Sequence, residues 1–318
     1  MILFSTFPIS GRVFRRLAFG VAATLTWTTG AFAQTPTDGI MMGKHLICNV
    51  LSYSNSHWDT YWEGTLKRKN GNIGTFYNEN VTAMSAYGLT KNLNVMAALP
   101  YVWTHATAGH FSGQKGLQDL SLWLKYRAVR VEGKAGTFAA FVTGGVSFPT
   151  TSYIPDMLPF SIGIRSRTAS LKAILHYKIR GFYVTGHGGY MYRSNIHIDR
   201  DAYQANGKIY DTHEVEVPNA IDASARIGFI NKHVQVEGYL ENMTSRNGDD
   251  IRRQDMPFPT NKMDMTSVGG MAKVHLYLKN GSFFSVVGQY GRVIAGRNVG
   301  ESSMYTLGIQ HTFNVTGK

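Results

Sequence analysis

From about residue 43 onward the chain alternates apolar and polar residues with a period of two, and the 3.6-residue period of helices is almost absent. In residues 120–127, Leu120, Leu122, Leu124 and Tyr126 alternate with Ser121, Trp123, Lys125 and Arg127. In 171–180, Leu171, Ala173, Leu175, Tyr177 and Ile179 alternate with Lys172, Ile174, His176, Lys178 and Arg180. Ile221, Ala223, Ala225, Ile227 and Phe229 stand against Asp222, Ser224 and Arg226; Val234, Val236 and Leu240 against Gln235, Glu237 and Glu241; Val274, Leu276 and Leu278 against Lys273, His275 and Tyr277. Successive strand side chains point to opposite faces, so each run has one apolar and one polar face. The pattern predicts twelve strands, at 43–55, 75–88, 93–105, 116–129, 136–148, 168–179, 182–193, 217–230, 234–245, 263–278, 283–294 and 303–313.

The connections between them alternate in length. Residues 89–92, 130–135, 180–181, 231–233 and 279–282 are short turns, whereas 56–74, 106–115, 149–167, 194–216 and 246–262 are long; 295–302 is a shorter member of the second set. An even number of strands with short turns at one end and long loops at the other predicts an all-β fold, a transmembrane antiparallel up-and-down β-barrel with periplasmic turns and extracellular loops. A soluble sandwich has the same period. Aromatics near the strand ends separate the two: Tyr87, Tyr126, Tyr177, Phe229 and Phe313 lie toward the turns, and Tyr53, Tyr101, Trp103, Phe148, Tyr190 and Tyr290 toward the loops, as two interfacial girdles would. Tyr277 departs from this, because its parity points it inward. Asn206-Gly207 is a hairpin signal inside a long loop and predicts that strands seven and eight extend beyond the membrane.

Charged residues make up only 16% of the chain, against about 25% in soluble proteins, which suits an exterior solvated by lipid. The formal charge of +12 comes with no basic run or nucleic-acid motif, so nucleic acid is not an expected partner; the charge suits contact with an anionic membrane surface, and for most of these residues simply a scattered, solvated surface. Residues 1–33 read as an export signal: Arg12, Arg15 and Arg16, then an apolar stretch, then Ala31-Phe32-Ala33 as the cleavage pattern, leaving 34–318 as the barrel beginning at Gln34. The apolar stretch is too short for an anchor, and no later run is long enough for a transmembrane helix. Cys48, the single cysteine, is expected on a strand. This organisation places the barrel in a bacterial outer membrane with both termini periplasmic.

Several segments together resemble a known family: Tyr61-Trp62-Glu63-Gly64, Asn70-Gly71-Asn72-Ile73-Gly74, Tyr87-Gly88-Leu89-Thr90, Leu99-Pro100-Tyr101-Val102, Gly116-Leu117-Gln118-Asp119-Leu120, Lys125-Tyr126-Arg127, Asp255-Met256-Pro257-Phe258-Pro259 and Ala295-Gly296-Arg297-Asn298-Val299-Gly300. They are similar to the outer-membrane transporter family named for the meta-pathway of phenol degradation. The resemblance implies a barrel and a role in moving small hydrophobic or aromatic compounds. The last strand also resembles the insertion signal read by the barrel-insertion machinery, with Thr306, Gly308 and Phe313 in place; His311 and the tail 314–318 depart from it.

With the apolar faces toward lipid, the lumen-lining candidates are Lys125, Arg127, Lys172, His176, Lys178, His187, Arg226, Glu237, Glu241, Lys273 and His275, joined by the acids Asp119 and Asp222. They make either a filter for solutes or a network of structural ion pairs. An outer-rim enzyme would draw on His105, His110, His197 and His213 with Asp199, Asp201 and Asp211, but no spacing fixes a constellation, and no catalytic residue is assigned. Asp249, Asp250 and Asp255 lack the spacing of a calcium loop, and no cofactor or metal signature is present. A third class is an adhesive or structural barrel acting through its loops. Tyr61, Trp62, Lys67, Arg68 and Lys69 fit contact with lipopolysaccharide.

Overall fold

The computed structural model describes residues 35–252, 255–278 and 281–316. The predicted export signal lies outside the described residues. Twelve antiparallel strands follow one another around a closed barrel: β1 Leu46–Trp58, β2 Phe76–Gly88, β3 Leu93–Ala106, β4 Asp119–Gly133, β5 Gly136–Pro149, β6 Thr168–Ile179, β7 Phe182–Arg193, β8 Ala220–Ile230, β9 Val234–Ser245, β10 Asp264–Tyr277, β11 Phe283–Arg297 and β12 Ser303–Asn314. Each pairs with its sequence neighbours, and β1 closes the ring on β12 from Leu46↔Asn314 to His57↔Ser303. Closure leaves no sheet edge, as a structure immersed in lipid requires. One seam is short. β3 and β4 pair only from Leu93↔Tyr126 to Ala98↔Ser121, and the remainder of β3 pairs with the three-residue strand Lys115–Leu117.

The two faces of the wall separate as their chemistry demands. Leu171, Leu175, Phe182, Ile227, Leu307 and Ile309 are each more than half exposed on the outer face. A continuous belt of this kind would be an aggregation surface in water and is what hydrocarbon solvates. All the aromatics expected in the girdles lie on this outer parity; Tyr126, Tyr177, Tyr53, Tyr101, Phe148, Tyr190 and Tyr290 are exposed. Tyr277 points inward, where its ring meets Phe283 at 5.1 Å under the ammonium of Lys232. His311 faces outward, stacked on Phe284 at 4.3 Å and beside Phe313 at 5.0 Å, so an aromatic sandwich accommodates the polar ring on the lipid side.

The boundaries shift from the sequence pattern where turns intervene. β1 starts at Leu46 and not at 43, because the Leu46 N–H bonds the Gly43 carbonyl and His45 adopts a φ of 64°. β4 starts at Asp119 because 115–117 form the separate short strand, and it runs on to Gly133 through an irregularity after Arg127. The Asn206-Gly207 turn forms, with φ of 50° and 74°, the pair of positive angles a type I′ hairpin needs. Its strands, Tyr203–Ala205 and Lys208–Tyr210, make a sheet of their own, so β7 and β8 do not extend through it. Loop residues Ile196, Ile198, Val215 and Val217 bury one another with Ile164, Tyr203 and Phe258, giving the long-loop end a small core.

Candidate functional site: the barrel lumen

The lumen is not empty. The residues preceding β1 run inside it and fasten to the wall. Lys125, on β4, is fully buried, and its Nζ donates to the Asp38 carboxylate at 2.7 Å, the Asp38 carbonyl at 2.6 Å and the Thr35 carbonyl at 3.1 Å. An ammonium has three donors, and all three are spent on this segment. The Asp38 carboxylate also accepts the backbone N–H groups of Thr35 and Ile40, which fixes the turn that presents it. Further along, Met42 is buried with Cys48, Ala86 and Met96, and Met41 packs on Ala139, Phe141 and Ile174. Gly39 lies flat against His176; a Cβ there would sit 2.0 Å from Nδ1.

All eleven lumen candidates have the inward parity, and the structure joins most of them in pairs. Arg226 bonds Glu237 at 2.9 Å and Glu241 at 2.6 Å, and the second Glu237 oxygen accepts from Tyr183 at 2.7 Å. Lys172 bonds Asp222, which also meets His187 Nε2 at 2.8 Å, while His187 Nδ1 meets Ser224 Oγ at 2.6 Å. Lys172 and Asp222 reach each other across β7 because Gly189 stands between them in register. A Cβ on Gly189 would come within 2.7 Å of Lys172 Cγ and 2.9 Å of Asp222 Oδ1. His176 bonds Thr185 at 2.7 Å, and His275 bonds Ser285 at 2.7 Å. Arg127 instead clamps the neighbouring turn through Asn92 and the Lys91 carbonyl. Lys178 lies near the turn end, and Lys273 is buried in the field of Asp38 and Glu237. The basic groups of the wall are therefore largely matched by acids, one of them, Asp38, from outside the wall.

Asp119 sits at the loop end of β4 and accepts from Tyr153 of loop 149–167 at 2.7 Å. That loop dips inward: Thr104 donates to the Phe160 carbonyl at 2.6 Å, and Phe160 packs edge-on against Phe76. The rim histidines lie in separate contacts among the described residues, with His105 3.5 Å from Glu79. His105 stacks on Tyr77 outside the wall, and His197 meets only His213 among the aromatic rings, at 5.9 Å. Asp250 pairs with Arg297 and Asn298, and Asp255 with Arg252; no carboxylate group suited to a metal occurs among the described residues. The hydrogen bonds from Arg297 hold the Asp250 carboxyl down at about 2. In the first long loop, Trp62 is buried beneath the Thr60–Glu63/Leu66–Lys69 hairpin, Arg68 pairs with Glu63 and Lys67 with Glu301, which leaves less of that loop free for an anionic partner than its sequence suggests.

The family model described as "MetA-pathway of phenol degradation" matches residues 70–307. The chain belongs to this family. No curated protein matches it in sequence. Among solved structures it is similar to an outer membrane channel from Pseudomonas putida F1, at 16% identity and a TM-score of 0.67, covering 88% of this chain and 100% of that one. The translocator domain of the autotransporter NalP from Neisseria meningitidis aligns at 12% identity and a TM-score of 0.47, over 85% and 88% of the two chains. The likeness to the channel confirms the twelve-stranded closed barrel.

Proposed function

We propose that this family member is an outer-membrane channel or transporter for small solutes, with hydrophobic or aromatic compounds as the class of cargo. One observation carries this reading: a membrane-type barrel whose lumen is lined with polar groups but narrowed by residues 35–45, so that only compact solutes find room. In this reading residues 1–33 are removed after Ala33, the short turns and both termini are periplasmic, and the long loops face lipopolysaccharide. The barrel-insertion machinery reads the β12 segment. No step in it calls for catalysis, a metal or a cofactor. Solute flux into vesicles bearing the purified barrel, together with a solute-uptake screen in a deletion strain, tests it; absence of flux and of any uptake defect would overturn it.

A second route has its own support. The β3–β4 seam holds only six residue pairs, from Leu93↔Tyr126 to Ala98↔Ser121. Beyond them the partner of β3 changes at Gln118 to the strand Lys115–Leu117, and a hydrophobic solute leaving sideways would part the six β3–β4 pairs beside that break. Cross-linking this seam with a cysteine pair at Ala97 and Leu122, register partners, would abolish uptake of hydrophobic solutes only if the sideways route operates.

A further inference from the structure

On the loop side of the docked segment the lumen holds a cavity of about 210 Å³. Pro36 and Thr37 of the segment form one wall of it, and the ends of β4 to β7 form the rest. Ser121, Ser147, Thr168, Ser170 and Lys172 supply its polar groups, set in a lining that is otherwise apolar and includes Val146 and Met191. Its flat apolar element is the indole of Trp123, seated over Gly145, where a Cβ would come within 2.2 Å of the ring. Both Trp123 and Lys172 thus occupy room that a glycine on the adjacent strand provides, Gly145 for one and Gly189 for the other.

The hydrogen-bonding capacity of this lining is only partly used: Ser170 Oγ donates over a long 3.4 Å to the Gly145 carbonyl and keeps its acceptor capacity. Ser147 and Thr168 bond each other at 2.7 Å. Ser121 Oγ and Trp123 Nε1 have no protein partner among the described residues. Lys172 spends one of its three donors on Asp222. Purely apolar cavities of about 150 Å³ stay dry and accept benzene. A somewhat larger cavity rimmed with donors instead holds water when empty. A hydrocarbon entering it would strip the hydroxyls and the ammonium of that water without replacing their bonds. A ring that carries an oxygen would replace them.

We infer that this cavity is a binding site for a monocyclic aromatic solute bearing an oxygen, a hydroxyl or a carboxylate, with the ring against Trp123 and the oxygen toward Lys172, Ser121 and Ser170. The inference rests on the solute-channel reading and narrows its cargo: compounds are sorted by their oxygen before they reach the Lys125–Asp38 contact.

The test is equilibrium binding of phenol and of toluene, nearly equal in shape and size, to the mature barrel in detergent, followed calorimetrically. Phenol should bind at least about tenfold more tightly than toluene, the worth of one or two neutral hydrogen bonds. Ser121→Ala combined with Ser170→Ala should remove most of that preference and leave toluene unchanged. Ser147→Leu, which fills the cavity, should abolish binding of both. Retention of heat-modifiable gel migration identifies which variants are folded, and either variant alone suffices for the comparison. Toluene bound as tightly as phenol, phenol binding indifferent to the folded variants, or no saturable binding because the cavity holds water only, would each overturn the site. Flux of phenol into vesicles without saturable binding would overturn the site and leave the channel; binding without flux would keep the site and overturn the channel.

Discussion

Lys125→Met should free residues 35–40 from the lumen. The substitution keeps the length and apolar body of the side chain and removes the ammonium that joins Asp38 and the Thr35 and Asp38 carbonyls. Breaking one partner of a buried ion pair costs roughly 3–5 kcal/mol, because the remaining charge is left uncompensated. Against this stands the apolar anchor: burial of Met42 among Cys48, Ala86 and Met96 is worth about 1.5–3 kcal/mol. Among the described residues, the other wall bond to residues 35–38 is a long one, from Arg226 to the Thr37 hydroxyl at 3.4 Å. The anchor therefore keeps Met42 in place while the part before it detaches, with the docked-to-free ratio falling by roughly 10²-fold to several thousandfold. Planar-bilayer recordings should show a larger conductance for Lys125→Met than for wild type, and passage of larger neutral solutes. Asp38→Asn should do the same, since it leaves the buried Lys125 ammonium without a countercharge for as long as the segment stays docked. Unchanged conductance in Lys125→Met with the barrel folded would refute the assignment of this ion pair as the fastening of the segment.

Other expectations follow from the same geometry. Leu122→Arg, on the outer face and 37% exposed, should destabilise the folded barrel by roughly 2–4 kcal/mol if it lies near the midplane, read from denaturant unfolding in lipid; a neutral result would reverse the faces of β4. Gly189→Val should cost about 1–3 kcal/mol by overpacking and part Lys172 from Asp222, seen as a lowered unfolding midpoint and a changed ion selectivity. The lumen should remain weakly anion-selective at low salt, where screening is least, with the preference lost in Lys172→Glu with Lys273→Glu, measured as reversal potential. For the loop tier, Asp250 is held down to about 2 from an unfolded value of about 3.9. Its contribution is complete above the unfolded value and disappears as the pH falls through about 2. Protease cleavage of the 246–262 loop should thus rise on acidification below about pH 4, and Asp250→Asn should make cleavage independent of pH there. N-terminal sequencing of the membrane-extracted protein should begin at Gln34.

The wall was legible in the sequence because a period of two leaves no freedom once one face must meet lipid. A slip of one residue would turn Leu171, Leu175 and Tyr177 inward and Lys172, His176 and Lys178 into hydrocarbon. That penalty sets the orientation of every lumen candidate, and of Tyr277, whose inward parity outweighs the habit of tyrosines to sit at the interface. Strand ends were less legible. Gly43 and His45 form a turn whose hydrogen bond is local, and the pairing of residues 115–117 with β3 alone depends on where loop 106–115 delivers them. The Asn206-Gly207 turn is legible because only a few residue types accept its two positive φ angles. Its reach is not legible, since the intervening residues 198–202 carry no ladder.

The segment that fills the lumen left no periodic trace, yet the wall itself calls for it. Lys125 faces Asn94 on β3 and Thr143 on β5, so neither cross-strand neighbour is acidic. A lysine buried at that place needs a carboxylate, because an uncompensated ammonium is too costly to keep. Lys172 and Arg226 find theirs on neighbouring strands, in Asp222, Glu237 and Glu241. Lys125 finds none there, so its partner must arrive from outside the sheet. The chain before β1 carries a single acid between the predicted cleavage point and the first strand, Asp38. It is flanked by Gly39, which permits close passage along His176, and followed by two methionines whose flexible side chains fill the irregular space between inward-facing residues. Periodicity locates the wall, and the unmet charge on the wall selects the piece of chain that enters it.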